Sequence, residues 1–217
     1  MMKADTSVTM KHTPREEFFH TLTHGGAALL GIIGLILLIR KTLNMDAIDT
    51  VGAIAYGASL ILLYSASALY HGVKTTSPYK DFFQKIDHCA IFFLIVGTYI
   101  PACLTSLRGW IGYTVLAIVG ICGVIGVTVN CIDITKFFKL SMALYVISGW
   151  TIAIASIPYV KAIGWQGFMF LLLGGIFYTA GIIFYRMKTV KYMHIIWHLF
   201  VVLGSVMHFI MVYFYVY

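Results

Sequence analysis

The sequence predicts an all-α protein, a seven-transmembrane helix bundle with its N-terminus in the cytoplasm and its C-terminus extracellular. Three observations carry that reading. Of 217 residues, 60% are hydrophobic and only 11% charged, against roughly 25% charged in an ordinary soluble domain. The apolar residues fall in long runs nearly free of Lys, Arg, Asp and Glu, and about 20 such residues cross about 30 Å of hydrocarbon as a helix. The runs are continuous rather than alternating, which excludes the strands of a membrane β-barrel.

Residues 1–19 are polar and mixed in charge (Lys3, Asp5, Lys11, Arg15, Glu16, Glu17) and lack the short apolar core of a signal peptide. They read as a cytoplasmic N-terminal segment, and 20–217 as a single transmembrane domain. Run length and breaker residues place spans at 20–39, 50–72, 87–107, 110–130, 140–160, 165–185 and 192–215. The third and fourth are divided by the short break Ser106-Leu107-Arg108-Gly109. Pro101 in the third span and Pro158 near the end of the fifth each remove a backbone donor and bend their helices. Small residues at Gly31 and Gly34, and at Gly120, Gly123 and Gly126, let neighbouring helices approach closely.

The orientation follows from the basic residues, which membrane proteins keep in excess on the cytoplasmic side. Eleven fall on one side: Lys3, Lys11 and Arg15, then Lys74, Lys80 and Lys85, Lys136 and Lys139, and Arg186, Lys188 and Lys191. Arg40, Lys41, Arg108 and Lys161 fall on the other. The formal net charge of +7 is thereby assigned to topology in the plasma membrane, not to a nucleic-acid partner. Cys89, Cys103, Cys122 and Cys131 lie within or at the ends of apolar runs and form no extracellular disulfide framework.

Ionisable groups are expensive inside a membrane, so their positions carry the functional signal. Seven of the eight histidines lie in or beside spans. His20 and His24 start the first span, His71 ends the second, Asp87 and His88 start the third, and His194 and His198 start the seventh, all toward the cytoplasmic face. His194 and His198 are four apart and project from one helix face, the spacing used by helical zinc ligands. His71 would supply a third ligand, leaving a fourth position for water. Asp87, beyond the 74–86 loop, would serve as base on that water, since Ile195 stands where the His-Glu-x-x-His proteases carry Glu. His20 and His24, also four apart, form a rival pair or a second wall of the same cavity. His88 points about 100° away from Asp87 around the helix and reads as structural. Cys89 reads as a small buried hydrophobe. His208, about 21 Å beyond His194, reads as a packed, hydrogen-bonded histidine. The aromatic run 213–217 reads as an interfacial belt.

At these residues the sequence resembles the hemolysin III family, the bacterial branch of the progestin and adipoQ receptor family. The likeness covers nearly the whole chain. It is carried by Glu16-Glu17 with Thr23-His24-Gly25, by Ser67-Ala68-Leu69-Tyr70-His71, by Lys85-Ile86-Asp87-His88 with Gly97-Thr98-Tyr99-Ile100-Pro101, and by His194-x3-His198 with His208-Phe209. His20 stands where the family usually has Asn. The resemblance implies a seven-helix bundle with Zn2+ on His71, His194 and His198, and Asp87 acting on the metal-bound water. It also implies that Ser67, one turn before His71, hydrogen-bonds that water or the substrate carbonyl.

Receptors of this family are linked to ceramide amide hydrolysis, whereas the bacterial members are named for lysis of red cells. Three functions follow as expectations. The first is a zinc-dependent hydrolase acting on an amide or ester of a membrane lipid such as ceramide. The second is a cytolysin forming pores in a target membrane, which the multiple spans and the lack of a cleavable signal speak against. The third is a sensor or homeostasis protein in which zinc joins helices without turnover.

Overall fold

A computed structural model describes residues 13–217. The remainder of the expected N-terminal segment, residues 1–12 with Lys3, Lys11 and His12, lies outside the described residues. Those described are all-helical, with no strand among them. The helices are α1 Pro14–Thr42, α2 Ala47–Gly72, α3 Lys80–Pro101, α4 Trp110–Asp133, α5 Phe138–Trp150, α6 Ser156–Arg186 and α7 Met193–Met211. A wider π turn, Ala102–Ser106, extends α3, another, Val212–Val216, extends α7, and a 3-10 turn, Thr151–Ala155, joins α5 to α6.

α1 begins six residues before the expected span because its first turn is capped. The Glu16 N–H donates to Thr13 Oγ1 at 3.3 Å and the Thr13 N–H donates back to Glu16 Oε2 at 2.8 Å, a reciprocal capping box with Pro14 at the first helical position. α3 loosens into its π turn just past Pro101, where the ring removes a helical donor. α4 is entered through Gly109 at φ +115°, a conformation that only glycine adopts without steric cost.

Among the described residues, six helical stretches are long and apolar enough to cross a membrane. One of them, Phe138–Arg186, is 49 residues long, about 73 Å if fully helical and more than twice the hydrocarbon thickness. Its regular path is interrupted by the 3-10 turn and again at Gly164, whose φ of +73° is non-helical. The second interruption falls between the expected fifth and sixth spans.

Helices adjacent in sequence pack as neighbours, and α1 also returns to α7, which closes the bundle. Large side chains such as Tyr56, Phe92, Tyr159 and Met211 are fully buried between them. Leu29, Leu30, Ile33, Val124 and Ile183 point outward, a surface that lipid solvates and water does not. At the end of the bundle where α2 begins, the buried Asp49 receives Arg108 Nη2 on both oxygens at 3.1 Å and Thr105 Oγ1 at 2.7 Å. Arg108 Nη1 also donates to Asp46 Oδ2 at 2.7 Å, so the α3–α4 turn is clamped to the start of α2.

α3 and α4 approach closely at Gly126, where an added Cβ would collide with the Phe92 ring. Gly126→Ala is expected to destabilise the protein by about 1–3 kcal/mol through overpacking, read as a lowered thermal midpoint in detergent. Gly120→Ala, with nothing within 4 Å of the new methyl, is expected to leave the midpoint unchanged or raise it slightly.

Candidate metal centre

Three helices bring imidazoles to one point. His20 lies on α1 two turns from its start, His71 in the last turn of α2, and His194 and His198 in the first turns of α7. Ligand atoms of His20, His71 and His194 all lie within 4.8 Å of one another. His198 is the fourth ring of the group. The His20 centroid is 4.5, 4.8 and 5.0 Å from those of His71, His194 and His198. The remaining separations are 5.2 Å for His71–His194, 5.0 Å for His71–His198 and 4.8 Å for His194–His198. Each ring therefore stands at nearly the same distance from the other three. His24, one turn deeper on α1, stacks on His198 at 3.7 Å.

The nitrogens are oriented by polar side chains behind them. His71 Nδ1–H donates to Glu17 Oε2 at 2.6 Å, which fixes the tautomer and leaves Nε2 with its lone pair. The same oxygen lies 3.7 Å from His20 Nδ1. The Thr23 hydroxyl, which donates to Phe19 O at 2.8 Å, is 3.2 Å from His198 Nδ1 and accepts from it. Glu17 is itself fixed by Lys80, whose Nζ donates to Glu17 Oε1 at 3.3 Å and to the Tyr70 and Val73 carbonyls at 2.6 and 3.2 Å. Lys80 thus caps the end of α2 and neutralises the carboxylate behind His71. Glu16, the neighbour of Glu17, reaches the other way and accepts the Tyr192 N–H at 2.9 Å. Tyr192 has φ +66°, a conformation that costs a non-glycine residue about 1–3 kcal/mol, and it directs the chain into α7 just ahead of His194.

This donor set fits zinc. Three imidazoles from three helices match the number a catalytic site uses, and the Glu17 carboxylate behind His71 is the outer partner that metal-binding histidines usually have. Tetrahedral ligands at about 2.0 Å from the ion stand about 3.3 Å apart, a separation within side-chain rotation of the observed cluster.

Of the residues singled out in the sequence, His71 and His194 bring ligand atoms together here with His20, and His198 packs its ring against all three. Ser67 is buried on α2, one turn before His71. Asp87 is not among the side chains whose ligand atoms converge. Its Oδ2 is 3.8 Å from His88 Nδ1. His88 binds Gln84 O through Nδ1 at 2.9 Å, and its carbonyl accepts Tyr145 O–H at 2.9 Å. His208 Nε2–H donates to Leu171 O at 3.1 Å. Sequence reasoning misses the placements of Glu17 and Lys80 and sets His20 in a rival pair with His24 or in a second wall of the same cavity. The three-residue step from Glu17 to His20, which sets both on one face of a helix, is the available signal.

Fold and centre together define an all-helical, multi-pass integral membrane protein with a histidine cluster compatible with zinc. The family model for haemolysin-III related proteins matches residues 12–209. The chain is 40% identical over 204 residues to the hemolysin-3 homolog of Bacillus subtilis, covering 94% of this chain and 95% of that protein. It is also 40% identical to hemolysin-3 of Bacillus cereus over 93% of this chain and 92% of that protein. A more distant likeness, 24% identity over 99% of this chain and 90% of the other, links it to human monocyte to macrophage differentiation factor. The chain belongs to the haemolysin III family.

Glu17→Gln keeps the shape of the group behind His71 but removes its charge. Zinc affinity, measured by competition with a chelator in detergent, is expected to fall about 10- to 100-fold while the helical circular dichroism is retained.

Proposed function

We propose that this protein crosses the plasma membrane seven times, with its N-terminus in the cytoplasm, and hydrolyses an amide or ester bond of a membrane lipid at a zinc centre near the cytoplasmic face. The observation that carries the reading is the convergence of His20, His71 and His194 from α1, α2 and α7, with His198 packed against all three. The seven crossings rest on the break at Gly164 within a stretch long enough to cross twice. The 11 to 4 division of Lys and Arg supports the orientation.

When bound, zinc supplies Lewis acidity toward the carbonyl and makes water nucleophilic near neutral pH. The protein's own groups do the rest. Glu17 is committed to His71 and Lys80, which leaves Asp87, outside the ring cluster beside His88, as the base proposed to take the proton from the attacking water and return it to the leaving amine or alcohol. Ser67 hydrogen-bonds that water or the substrate carbonyl. A centre walled by membrane helices meets molecules dissolved in the bilayer, and a ceramide-like lipid presents its amide at the polar boundary with its chains between helices.

The test is zinc content and lipid turnover of the detergent-purified protein, wild type against His194→Ala/His198→Ala. Near-stoichiometric zinc and turnover of a lipid amide or ester, both lost in the variant, are expected. Undiminished turnover in the variant overturns the hydrolase. Lysis, the activity in the relatives' names, needs no histidine centre, and dye release from liposomes separates it from turnover.

A second reading rests on the fourth ring. With four imidazoles mutually 4.5–5.2 Å apart, a site closed by four protein ligands would be structural, as in a sensor. X-ray absorption decides between them: four nitrogen ligands in the wild type, falling to three in His20→Asn, support the closed site. Three nitrogens and an oxygen support the hydrolase.

A further inference from the structure

Away from the histidine centre, two thiols face each other across the α3–α4 interface. Cys89 Sγ and Cys131 Sγ are 3.8 Å apart, although 42 residues separate them in the chain. Cys89 is buried, while Cys131, two residues before the end of α4, is exposed. The pair is set in a bonded frame. Tyr145 of α5 donates its hydroxyl to the carbonyl of His88, the residue before Cys89, at 2.9 Å. The same hydroxyl accepts from the side chain of Asn130, the residue before Cys131, at 3.2 Å. Asn130 is in turn anchored by Ser141 Oγ at 2.6 Å. Lys85 Nζ donates to the Cys131 carbonyl at 2.7 Å, which places an ammonium group beside the exposed cysteine. Closing 3.8 Å to the ~2.05 Å of a disulfide takes side-chain rotation, with both backbones already held.

We propose that Cys89 and Cys131 form a redox-active dithiol that a hydroperoxide oxidises to a reversible disulfide pinning α3 to α4. Cys131 is the attacking group because it is the exposed thiol of the pair, open to a peroxide that cannot reach the buried Cys89. Its thiolate attacks a peroxide oxygen, the O–O bond breaks and hydroxide leaves. Sulfur is oxidised by two electrons to the sulfenic acid and the peroxide is reduced. The Cys89 thiol then loses its proton and attacks that sulfur, the S–S bond forms, the S–O bond breaks, and the departing hydroxide takes up the proton as water. Two thiols and one hydrogen peroxide thus give one disulfide and two waters. The buried thiol is the resolving one, since only a partner in contact reaches it. This dithiol does not depend on the zinc centre or on hydrolysis.

The experiment treats the full-length protein in detergent with hydrogen peroxide, blocks remaining thiols with N-ethylmaleimide, and identifies peptides by mass spectrometry before and after dithiothreitol. In the wild type, Cys89 and Cys131 are expected to lose alkylation together and appear as one cross-linked peptide two hydrogens lighter, restored by dithiothreitol, while Cys122 stays alkylated. In Cys131→Ser, Cys89 is expected to remain alkylated after the same exposure. The proposal is overturned if Cys131 proceeds to sulfinic acid with Cys89 still alkylated. It is equally overturned if Cys131 links two chains, or if neither residue changes. The wild type alone yields these overturning readouts, so they hold even where the Cys131→Ser chain fails to fold.

Discussion

A carboxylate held among membrane helices is tolerated only where its charge is met, and Glu17 is met from three sides. Lys80 supplies the opposite charge, His71 donates at 2.6 Å, and His20 lies 3.7 Å from the same oxygen. Removing Lys80 would leave this partly buried carboxylate without its cation, and removing Glu17 would leave His71 Nδ1–H without its acceptor. The geometry of the histidine centre is therefore dictated from behind. Glu17 sets the ring of His71, Lys80 sets Glu17, and Lys80 in turn is held by the carbonyls that end α2. Glu16 extends the same turn of α1 to the opposite neighbour and fixes the strained entry into α7.

Much of this architecture is legible in the sequence because the bilayer imposes simple rules. Apolar runs of sufficient length mark the helices, and the breaks at Ser106–Gly109 and between Arg186 and Lys191 fall where polar residues interrupt them. The i, i+4 spacing of His194 and His198 makes their shared face readable without coordinates. The start of α1 is less visible, since the polar run 13–19 reads as a tail by composition while Thr13 and Glu16 cap it into a helix. Glu17 and His71, 54 residues apart, meet only through the packing of α1 on α2, and no periodicity reports that. Composition sets Asp87 at the start of a span, yet α3 begins seven residues earlier at Lys80. Lys80, not Asp87, therefore faces Glu17. His20 has no helix-independent signal beyond its step from Glu17 and its pairing with His24.

The bundle is polar at its core as well as at this centre. Tyr64 donates to Ser205 Oγ at 2.6 Å and Tyr178 shares the same hydroxyl at 2.7 Å, with the His24 ring edge-on to Tyr64 and the His208 ring edge-on to Tyr178. Each hydroxyl finds its partner on another helix, as an apolar solvent requires. The Asp46, Asp49 and Arg108 clamp performs the same task at the start of α2. Part of the buried polarity thus cross-links helices, while other buried hydroxyls, such as those of Thr98 and Ser148, bond back to carbonyls of their own helix.

The order in which the ring of helices closes bears on how such a protein is made. α1 and α2 are joined by a tight connection and carry Glu17, His20 and His71, so this hairpin, made before α7, already contains the carboxylate, the imidazole that bonds to it and half of the four-ring cluster. The other two rings arrive on α7, after every intervening helix has been synthesised, and they reach their places only when α7 docks against α1. The cluster is therefore a keystone. A chain in which α7 has not docked against α1 carries only two of the four rings.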